Sequence, residues 1–138
     1  EPERILSCMK KTYPEAQVVL TLGSDGSVYQ YKEERYVQEI IKVKAVDTTA
    51  AGDTFTGYFV AGLLEGKSIP DTLLRCAKAS GIAGSRKGAA PSIPYKEEVE
   101  AWKLNRKDEE VKWFIMNRRN VLTFFSNCVR MATLTRCE

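Results

Sequence analysis

The chain has 138 residues, 43% of them hydrophobic, and its 21 basic and 18 acidic side chains give a net charge of +3. That length suffices for one domain with a buried core, and so balanced a charge, with no basic stripe among aromatic residues, argues against nucleic acid as a partner. The absence of histidine excludes Ser-His-Asp and Cys-His catalysis. The four cysteines have no C-x-x-C spacing, which argues against zinc. Scattered cysteines without a signal peptide predict a reducing, cytoplasmic location.

The N-terminal part of the sequence predicts a helix followed by a hairpin. Residues 3–13 are amphipathic and stop at Pro14, which predicts a helix. Residues 18–22 form an uninterrupted apolar run, typical of a strand buried on both faces. The four residues 23–26, Gly-Ser-Asp-Gly, predict a tight turn that joins this strand to a second one over residues 27–31.

The middle of the sequence predicts a further strand, a loop and a helix. Residues 35–46 hold one or two strands and end in a β-branched run that contains Ile40, Ile41, Val43 and Val46. A loop of small residues follows, and then an apolar helix from residue 54 to residue 64. Because this helix is apolar nearly all round, the sequence predicts that it is buried, and Gly66 ends it.

A second helix is predicted to follow directly. Ser68 and Asp71 have the spacing of a capping box, and Pro70 lies in the first turn. This helix runs to about Gly84 and is rich in small residues. Small side chains permit the close approach of a neighbouring helix or of a flat ligand.

The segment 47–53, with the sequence Asp-Thr-Thr-Ala-Ala-Gly-Asp, carries the main chemical signal. It lies between a predicted strand and a predicted helix, where backbone N–H groups are free and the helix dipole is positive. The small residues Ala50, Ala51 and Gly52 let an anion approach those groups, and Asp53 places a carboxylate beside it. Transfer of a phosphoryl group to a hydroxyl needs this combination. The alternative is that Asp47 or Asp53 merely caps a helix.

Read on through residues 54–57, Thr-Phe-Thr-Gly, the segment closely resembles the signature of the ribokinase-like carbohydrate kinases, the phosphofructokinase-B family. Its form with two alanines is most similar to the ribokinase subgroup. The resemblance covers residues 12–107 and implies an α/β fold, the C-terminal part of a three-layer α/β/α sandwich without its N-terminal half and lid. Tyr58 stands where the family pattern prefers Ala or Gly, which we interpret as subgroup variation.

The resemblance also implies an activity. It is ATP-dependent phosphorylation of a sugar, with ribose as the default substrate. In this interpretation Asp53 is the base, and Ala50, Ala51 and Gly52 surround the transferring phosphoryl group. The sugar and ATP are the expected partners, with no nucleic acid and no membrane, and the missing lid forms a homodimer interface.

The turn at residues 21–26 is a second functional candidate. In the resembling family a strand end of this kind contacts the nucleotide, so the resemblance implies that Thr21, Gly23 and Gly26 bind ATP together with Ala51 and Gly52. The resemblance also implies Mg2+ as a cofactor, which would neutralise charge on the phosphates. By composition alone, Gly-Ser-Asp-Gly is equally an ordinary hairpin turn.

The third candidate is the basic loop of small residues at 85–92, Ser-Arg-Lys-Gly-Ala-Ala-Pro-Ser. The resemblance implies that this loop and the start of the 47–53 segment hold K+, mostly through backbone oxygens. The implied ligands are Asp47, Thr49, Ala83, Gly88 and Ser92. Ligation by oxygen alone suits a hard cation of low charge. The alternative is a loop that ends a helix, with Arg86 and Lys87 in solvent.

The C-terminal region divides in two. Residues 95–104 predict the last family helix, with Val99 and Trp102 on one face, so that residues 1–107 form the nucleotide-binding part. Residues 108–138 are an unmatched tail with a rough helical stripe, which a charged stretch makes unfit to span a membrane. The tail is either an added helix, foreign sequence from a shifted reading frame, or a membrane-surface helix.

The resemblance predicts that the chain is a fragment. The sequence begins without methionine, and the family's sugar pocket, lid and acidic magnesium motif have no counterpart in it. We therefore expect the isolated chain to be inactive. The alternative function is a non-catalytic remnant that binds nucleotide or serves only as a packing module.

Overall fold

The computed structural model describes residues 2–102, which belong to two compact units, residues 2–37 and residues 38–102. We describe each unit by itself. The helices and strands, in chain order, are α1 (Pro2–Thr12), β1 (Val18–Thr21), β2 (Ser27–Tyr31), β3 (Glu34–Gln38), α2 (Ala51–Leu64), α3 (Ile69–Gly84) and α4 (Lys96–Ala101). The predicted α/β class is confirmed. No helix in this part of the chain is long and apolar enough to cross a membrane.

In the first unit, α1 supplies one side of a small hydrophobic core. Leu6 is buried with Leu22 and Val28, and partly buried side chains from the strands pack against them. The helix ends at Thr12, before Pro14, as the sequence predicts. Pro14 cannot continue a helix because it lacks the backbone N–H and its ring clashes with the preceding turn.

The predicted hairpin is also confirmed. β1 and β2 are antiparallel, with Val18 opposite Gln30 and Thr21 opposite Ser27. A short 3₁₀ turn, Gly23–Asp25, joins the strands. Gly23 and Gly26 have φ angles of 60° and 89°, in the left-handed region that side chains disfavour. Glycine at these two positions is therefore a requirement of the turn itself.

The prediction that the first strand is buried on both faces is wrong for the described residues. Val18, Val19 and Leu20 are only partly buried, and Thr21 is exposed. Val18 and Leu20 pack against the cluster that contains Leu6 of α1, and β1 lies at the edge of a three-stranded sheet in the order β1-β2-β3. An apolar run in the sequence does not show whether other elements cover both faces of the strand.

The strand predicted before the 47–53 segment is not formed within residues 39–50. Its alternation is present, since Ile41 is buried while Lys42 and Lys44 are exposed. Its end, however, bonds to a helix, because the N–H of Val46 donates to the carbonyl of Gly84 in α3 (2.8 Å). A strand needs a second strand to pair with, and alternation alone does not supply one.

The prediction that the whole of α2 is buried is also wrong for the described residues. Phe55 and Gly62 are buried, but Leu64 is 84% exposed. One side of α2 packs so closely on α3 that a Cβ added to Gly62 would lie 2.5 Å from Cγ2 of Thr72. An apolar helix is buried only where another element covers it.

The predicted end of α2 is confirmed. Gly66 has a φ of 68°. Its N–H donates to Leu63 (3.1 Å) and that of Lys67 donates to Gly62 (3.1 Å). These two bonds satisfy carbonyls that the helix leaves open at its C-terminus.

The second predicted helix is formed with its predicted cap. Ser68 precedes α3, and its hydroxyl oxygen accepts the N–H of Asp71 (3.2 Å). Near the other end, Gly81 packs closely against the side chains of Val43 and Trp102, because a Cβ built there would lie 3.5 Å from Val43 and 3.7 Å from Trp102. At this position the small residue serves close packing within the protein.

The last predicted helix is formed as α4. Val99 is buried in a cluster with Ala79 and Ile82, and Trp102 packs against that cluster, so both lie on one face as predicted. The predictions for residues 103–138, including the tail, lie outside the described residues.

Candidate functional site

The 47–53 segment is attached to the end of α3. The carbonyl of Gly84, the last residue of that helix, accepts the N–H groups of Val46 (2.8 Å) and Asp47 (3.2 Å). Carbonyls in the last turn of a helix have no partner within it, so this one is available to the incoming chain. The start of the segment is therefore fixed by a distant part of the sequence.

Asp47 binds two loops together. Its Oδ1 accepts the Thr49 hydroxyl (2.6 Å) and the Thr49 N–H (3.0 Å), and its Oδ2 accepts the N–H of Gly88 (3.1 Å). The Thr49 hydroxyl, followed by the amides of Thr49 and Gly88, lowers the pKa of Asp47. The carboxylate thus stays charged, and it connects the 47–53 segment to the 85–92 loop.

The first turn of α2 exposes two backbone donors. Ala50 is buried at the N-cap and offers no side-chain cap. The N–H of Ala51 donates to Thr48 (3.1 Å), so that amide is already used. Among the described residues, the N–H groups of Gly52 and Asp53 have no acceptor.

The space in front of these two donors is open. Gly52 and Asp53 are both exposed, and a Cβ added to Gly52 would meet nothing within 4 Å. α2 is 14 residues long, so its dipole adds partial positive charge at this end. Two free N–H groups at an open helix start fit the oxygens of a phosphate.

The Asp53 carboxylate is accessible at the start of α2. Asp53 is the third residue of α2 and is exposed, and within the described residues no hydrogen bond engages its carboxylate. The N-cap position is held by Ala50. The alternative in which Asp53 merely caps the helix therefore has no support in the contacts.

The contact of Ser80 with the start of α2 was not predicted from the sequence. The Ser80 hydroxyl, on α3, donates to the carbonyl of Ala51 at the start of α2 (3.0 Å). The two residues are 29 positions apart. In the sequence Ser80 is one small residue among several in its helix, and no local signal marks it.

The structure brings part of the predicted cation set together. Asp47, Thr49 and Gly88 are joined by hydrogen bonds. Ala83 and Ser92 are buried, but no hydrogen bond joins either of them to Asp47 in the described residues. The Ser92 hydroxyl donates to Ala89 (2.7 Å).

The predicted cation ligands are the Asp47 carboxylate and, for the most part, backbone oxygens. The described residues contain no group of three His, Cys, Asp or Glu side chains that could hold a metal ion. One carboxylate among carbonyl oxygens suits a monovalent hard cation better than a transition metal. The residues present are thus of a chemistry that fits K+.

Arg86 in the 85–92 loop is not simply in solvent, contrary to the alternative interpretation of that loop. Its guanidinium forms two hydrogen bonds with the carboxylate of Glu98 in α4. This contact lowers the pKa of Glu98 and raises that of Arg86. The ion pair ties the loop to the last described helix.

Tyr58, the departure from the family pattern, has a structural role. Its hydroxyl donates to the carbonyl of Pro94 (2.8 Å), and the guanidinium of Arg75 lies 5.2 Å from its ring centre. Arg75 also pairs with Glu65 (2.9 Å). Tyr58 therefore holds the chain after the 85–92 loop against α2.

The predicted nucleotide residues of the hairpin lie in the first unit. Thr21 ends β1 and is exposed, Gly23 opens the 3₁₀ turn and is exposed, and Gly26 closes the turn. The backbone of this turn is closed internally, because the N–H of Leu22 donates to Gly26 (2.8 Å). The three residues thus belong to one tight hairpin turn.

An α/β chain with open amides at a helix start and a carboxylate beside them has the features of a phosphoryl-transfer protein. The family model of the pfkB family carbohydrate kinases matches residues 1–96. The chain therefore belongs to the pfkB family of carbohydrate kinases, as the 47–57 signature predicts.

The chain is similar to several ribokinases. The ribokinase of Schizosaccharomyces pombe is 49% identical over 84 residues, which are 60% of this chain and 26% of that protein. The structure of Arabidopsis thaliana ribokinase complexed with ribose and ATP is 42% identical, with a TM-score of 0.59, and the match covers 61% of this chain and 28% of that one.

A putative ribokinase II from E. coli, in complex with ATP and Mg2+, is 26% identical with a TM-score of 0.67; the match covers 72% of this chain and 32% of that one. The chain thus spans about a quarter to a third of the length of these relatives.

Proposed function

We propose that this chain is the C-terminal, nucleotide-binding part of an ATP-dependent sugar kinase, with ribose as the default substrate. The observation that carries the proposal is the start of α2 in a member of a carbohydrate kinase family. There the N–H groups of Gly52 and Asp53, which no group in the described part of the chain accepts, lie next to the Asp53 carboxylate. Residues 1–107 form this part, and residues 108–138 are a tail that the family pattern does not match.

In the proposed reaction, Asp53 takes the proton of the attacking sugar hydroxyl. The N–H groups of Gly52 and Asp53 donate to oxygens of the transferring phosphoryl group, and the small side chains of Ala50 and Ala51 leave room for it. A preorganised donor of this kind is worth about 3–4 kcal/mol of barrier. The sugar oxygen gains the phosphoryl group, and the remaining diphosphate leaves as ADP.

ATP is proposed to contact Thr21, Gly23 and Gly26 of the hairpin, and Ala51 and Gly52 of α2. Support comes from the Arabidopsis ribokinase complexed with ribose and ATP, and from the E. coli protein in complex with ATP and Mg2+. Mg2+, when bound, neutralises charge on the phosphates. Of the residues in this set, Gly52 has an exposed N–H with no acceptor among the described residues, so it can donate to a phosphate oxygen.

A K+ site is proposed at Asp47, Thr49, Ala83, Gly88 and Ser92. K+, when bound, adds positive charge close to the start of α2. The support is the Asp47 contact with Thr49 and Gly88, which holds the two loops in register. We further propose a cytoplasmic enzyme whose partners are its sugar and ATP, without nucleic acid or membrane, and which dimerises through the family's lid.

Two measurements test the proposal. The first is a kinase assay with a panel of sugars, ribose included, on a protein in which this chain follows a family-type N-terminal half. The second is calorimetry of the 138-residue chain with ATP and Mg2+. We expect the longer protein to phosphorylate a sugar, and the chain alone to bind ATP weakly without phosphorylating any sugar. Sugar phosphorylation by the chain alone would show that we have misjudged what a complete site needs.

A second candidate is a non-catalytic remnant that binds nucleotide or serves only as a packing module. The observation in its favour is that the hairpin turn proposed to contact ATP is closed by its own bond from the Leu22 N–H to Gly26 (2.8 Å), as in an ordinary turn. ATP binding by the chain, with no sugar phosphorylated by the longer protein, would favour this candidate. If the chain does not bind ATP and the longer protein phosphorylates no sugar, the packing role would be the remaining candidate.

A further inference from the structure

The start of α2 receives one side-chain hydrogen bond from another helix. The hydroxyl of Ser80, in α3, donates to the carbonyl of Ala51 at 3.0 Å. That carbonyl and the N–H of Gly52 belong to the same peptide unit, which is planar and trans. The two groups therefore point in opposite directions, and whatever fixes the carbonyl also fixes the N–H.

The same hydrogen bond changes the strength of the Gly52 donor. A donor on the carbonyl of a peptide draws electron density from the nitrogen, so that the N–H of that peptide becomes a better donor; hydrogen bonds in a chain strengthen each other by about 10–30%. The N–H of Gly52 is one of the two that have no acceptor among the described residues. Ser80 is thus one peptide away from an open anion-binding donor.

We infer that Ser80 is a positioning residue for phosphoryl transfer, and that it acts through the Ala51–Gly52 peptide by orienting and polarising the Gly52 N–H. The inference rests on the proposed function. Ser80 touches no substrate, since its hydroxyl is directed at the back of that peptide. Its contribution appears where negative charge develops on the transferring group.

The kinetic test compares two serine-to-alanine variants in the longer protein named above, in which this chain follows a family-type N-terminal half and which we call the full-length kinase. Ser80→Ala removes the bond to Ala51. Ser68→Ala removes the cap at the opposite end of the same helix, and so lowers stability without touching the start of α2. We expect Ser80→Ala to lower kcat by about 3- to 10-fold and to leave the KM for the sugar unchanged. Ser68→Ala should leave both constants unchanged. Ser80→Thr keeps the hydroxyl and should retain the wild-type kcat.

Equal kcat values for Ser80→Ala and Ser68→Ala in an active enzyme would overturn the inference and leave the proposed function intact. A parallel measurement does not depend on sugar phosphorylation. In NMR spectra of the 138-residue chain, Ser80→Ala should move the Gly52 amide nitrogen and proton upfield, while Ser68→Ala should not.

The NMR result keeps the two failures apart. If the full-length protein phosphorylates no sugar, the proposed function fails, and an upfield shift of Gly52 would still show that Ser80 polarises that amide. An unmoved Gly52 signal in Ser80→Ala would overturn the inference whatever the kinase assay gives.

Discussion

The two consecutive helices α2 and α3 begin in opposite ways. α3 begins with Ser68, whose hydroxyl oxygen accepts the N–H of Asp71. α2 begins with Ala50, which has no side-chain cap, and within residues 2–102 the N–H groups of Gly52 and Asp53 have no acceptor. A side-chain cap is worth about 1 kcal/mol, so the start of α2 gives up stability that the start of α3 keeps. Open donors at a helix start are what an anion needs.

The comparison extends to the acidic residues. Asp53 is the third residue of α2 and Asp71 is the third residue of α3. The hydroxyl of Ser68 donates to the carboxylate of Asp71 (2.5 Å), whereas no described hydrogen bond engages that of Asp53. The same residue type at the same helical position is structural in one helix and available for chemistry in the other.

The largest expected effect separates these two aspartates. In the full-length kinase, Asp53→Asn should lower kcat on the order of 10²–10⁴-fold, because the amide cannot take the proton of the sugar hydroxyl. ATP binding should be nearly unchanged. Steady-state kinetics and ATP calorimetry measure the two quantities.

Asp71→Asn is the matched control, since it makes the same chemical change at the same position of the next helix. It should shift the melting temperature slightly and leave kcat alone. Near-normal turnover in Asp53→Asn, or an equal loss in both variants, would remove Asp53 from its role as base.

The second prediction concerns how the start of α2 is supported from its loop. If the Asp47 region holds K+, the full-length kinase should be activated by potassium and much less by sodium, because carbonyl oxygens compensate the dehydration of the larger ion more easily. Asp47→Ala should abolish most of this activation. Titration of kcat with KCl and NaCl at constant ionic strength measures it.

Activation that is equally strong for both ions would contradict the K+ assignment. Full potassium activation in Asp47→Ala would mean that K+ binds at another site and that Asp47 serves only to bond Thr49 and Gly88.

The third prediction concerns the contact that holds the two helices together. Gly62→Ala should destabilise the protein by about 1–3 kcal/mol, since overpacking of a close contact costs that much, and the added Cβ would lie 2.5 Å from Thr72. Gly57→Ala, in the same helix, meets nothing within 4 Å and should stabilise by about 1 kcal/mol. Urea denaturation measures both, and the same sign for both would refute the packing argument.

The smallest effect is a pH dependence at Asp47. Its pKa is lowered from 3.8 in the folded state, so its contribution to stability is present above about pH 4 and is lost as the pH falls through the folded pKa. The stability difference between the wild-type chain and Asp47→Asn should therefore shrink below that pH. Denaturation at pH 6 and at pH 3 checks this, and a constant difference would mean that the carboxylate charge is not what Thr49 and Gly88 bind.

Local interactions explain which parts of the fold followed from the sequence. The end of α2 at Gly66 and the start of α3 at Ser68 were predicted correctly because each depends on residues three or four positions apart. The turn at Gly23 and Gly26 followed for the same reason, since both positions need the backbone freedom of glycine.

The sequence by itself determined the family, through residues 47–57, and named the segment that begins α2. It did not show that the alternating segment before residue 47 bonds to α3 rather than to a strand, or that Leu64 is exposed. The bonding of the alternating segment and the exposure of Leu64 both depend on which element packs beside them, and an apolar pattern in the sequence does not indicate that element.

Only the tertiary structure decided how the start of α2 is held. The bonds from Ser80 to Ala51 and from Gly88 to Asp47 join residues 29 and 41 positions apart. Each depends on how α3 and its following loop return to the start of α2, and a single serine or glycine carries no local sign of that path. The sequence determined which groups could take part in the chemistry. Tertiary contacts decided which of their N–H donors remain without an acceptor, because hydrogen-bond partners are set by proximity in space and not by distance along the sequence.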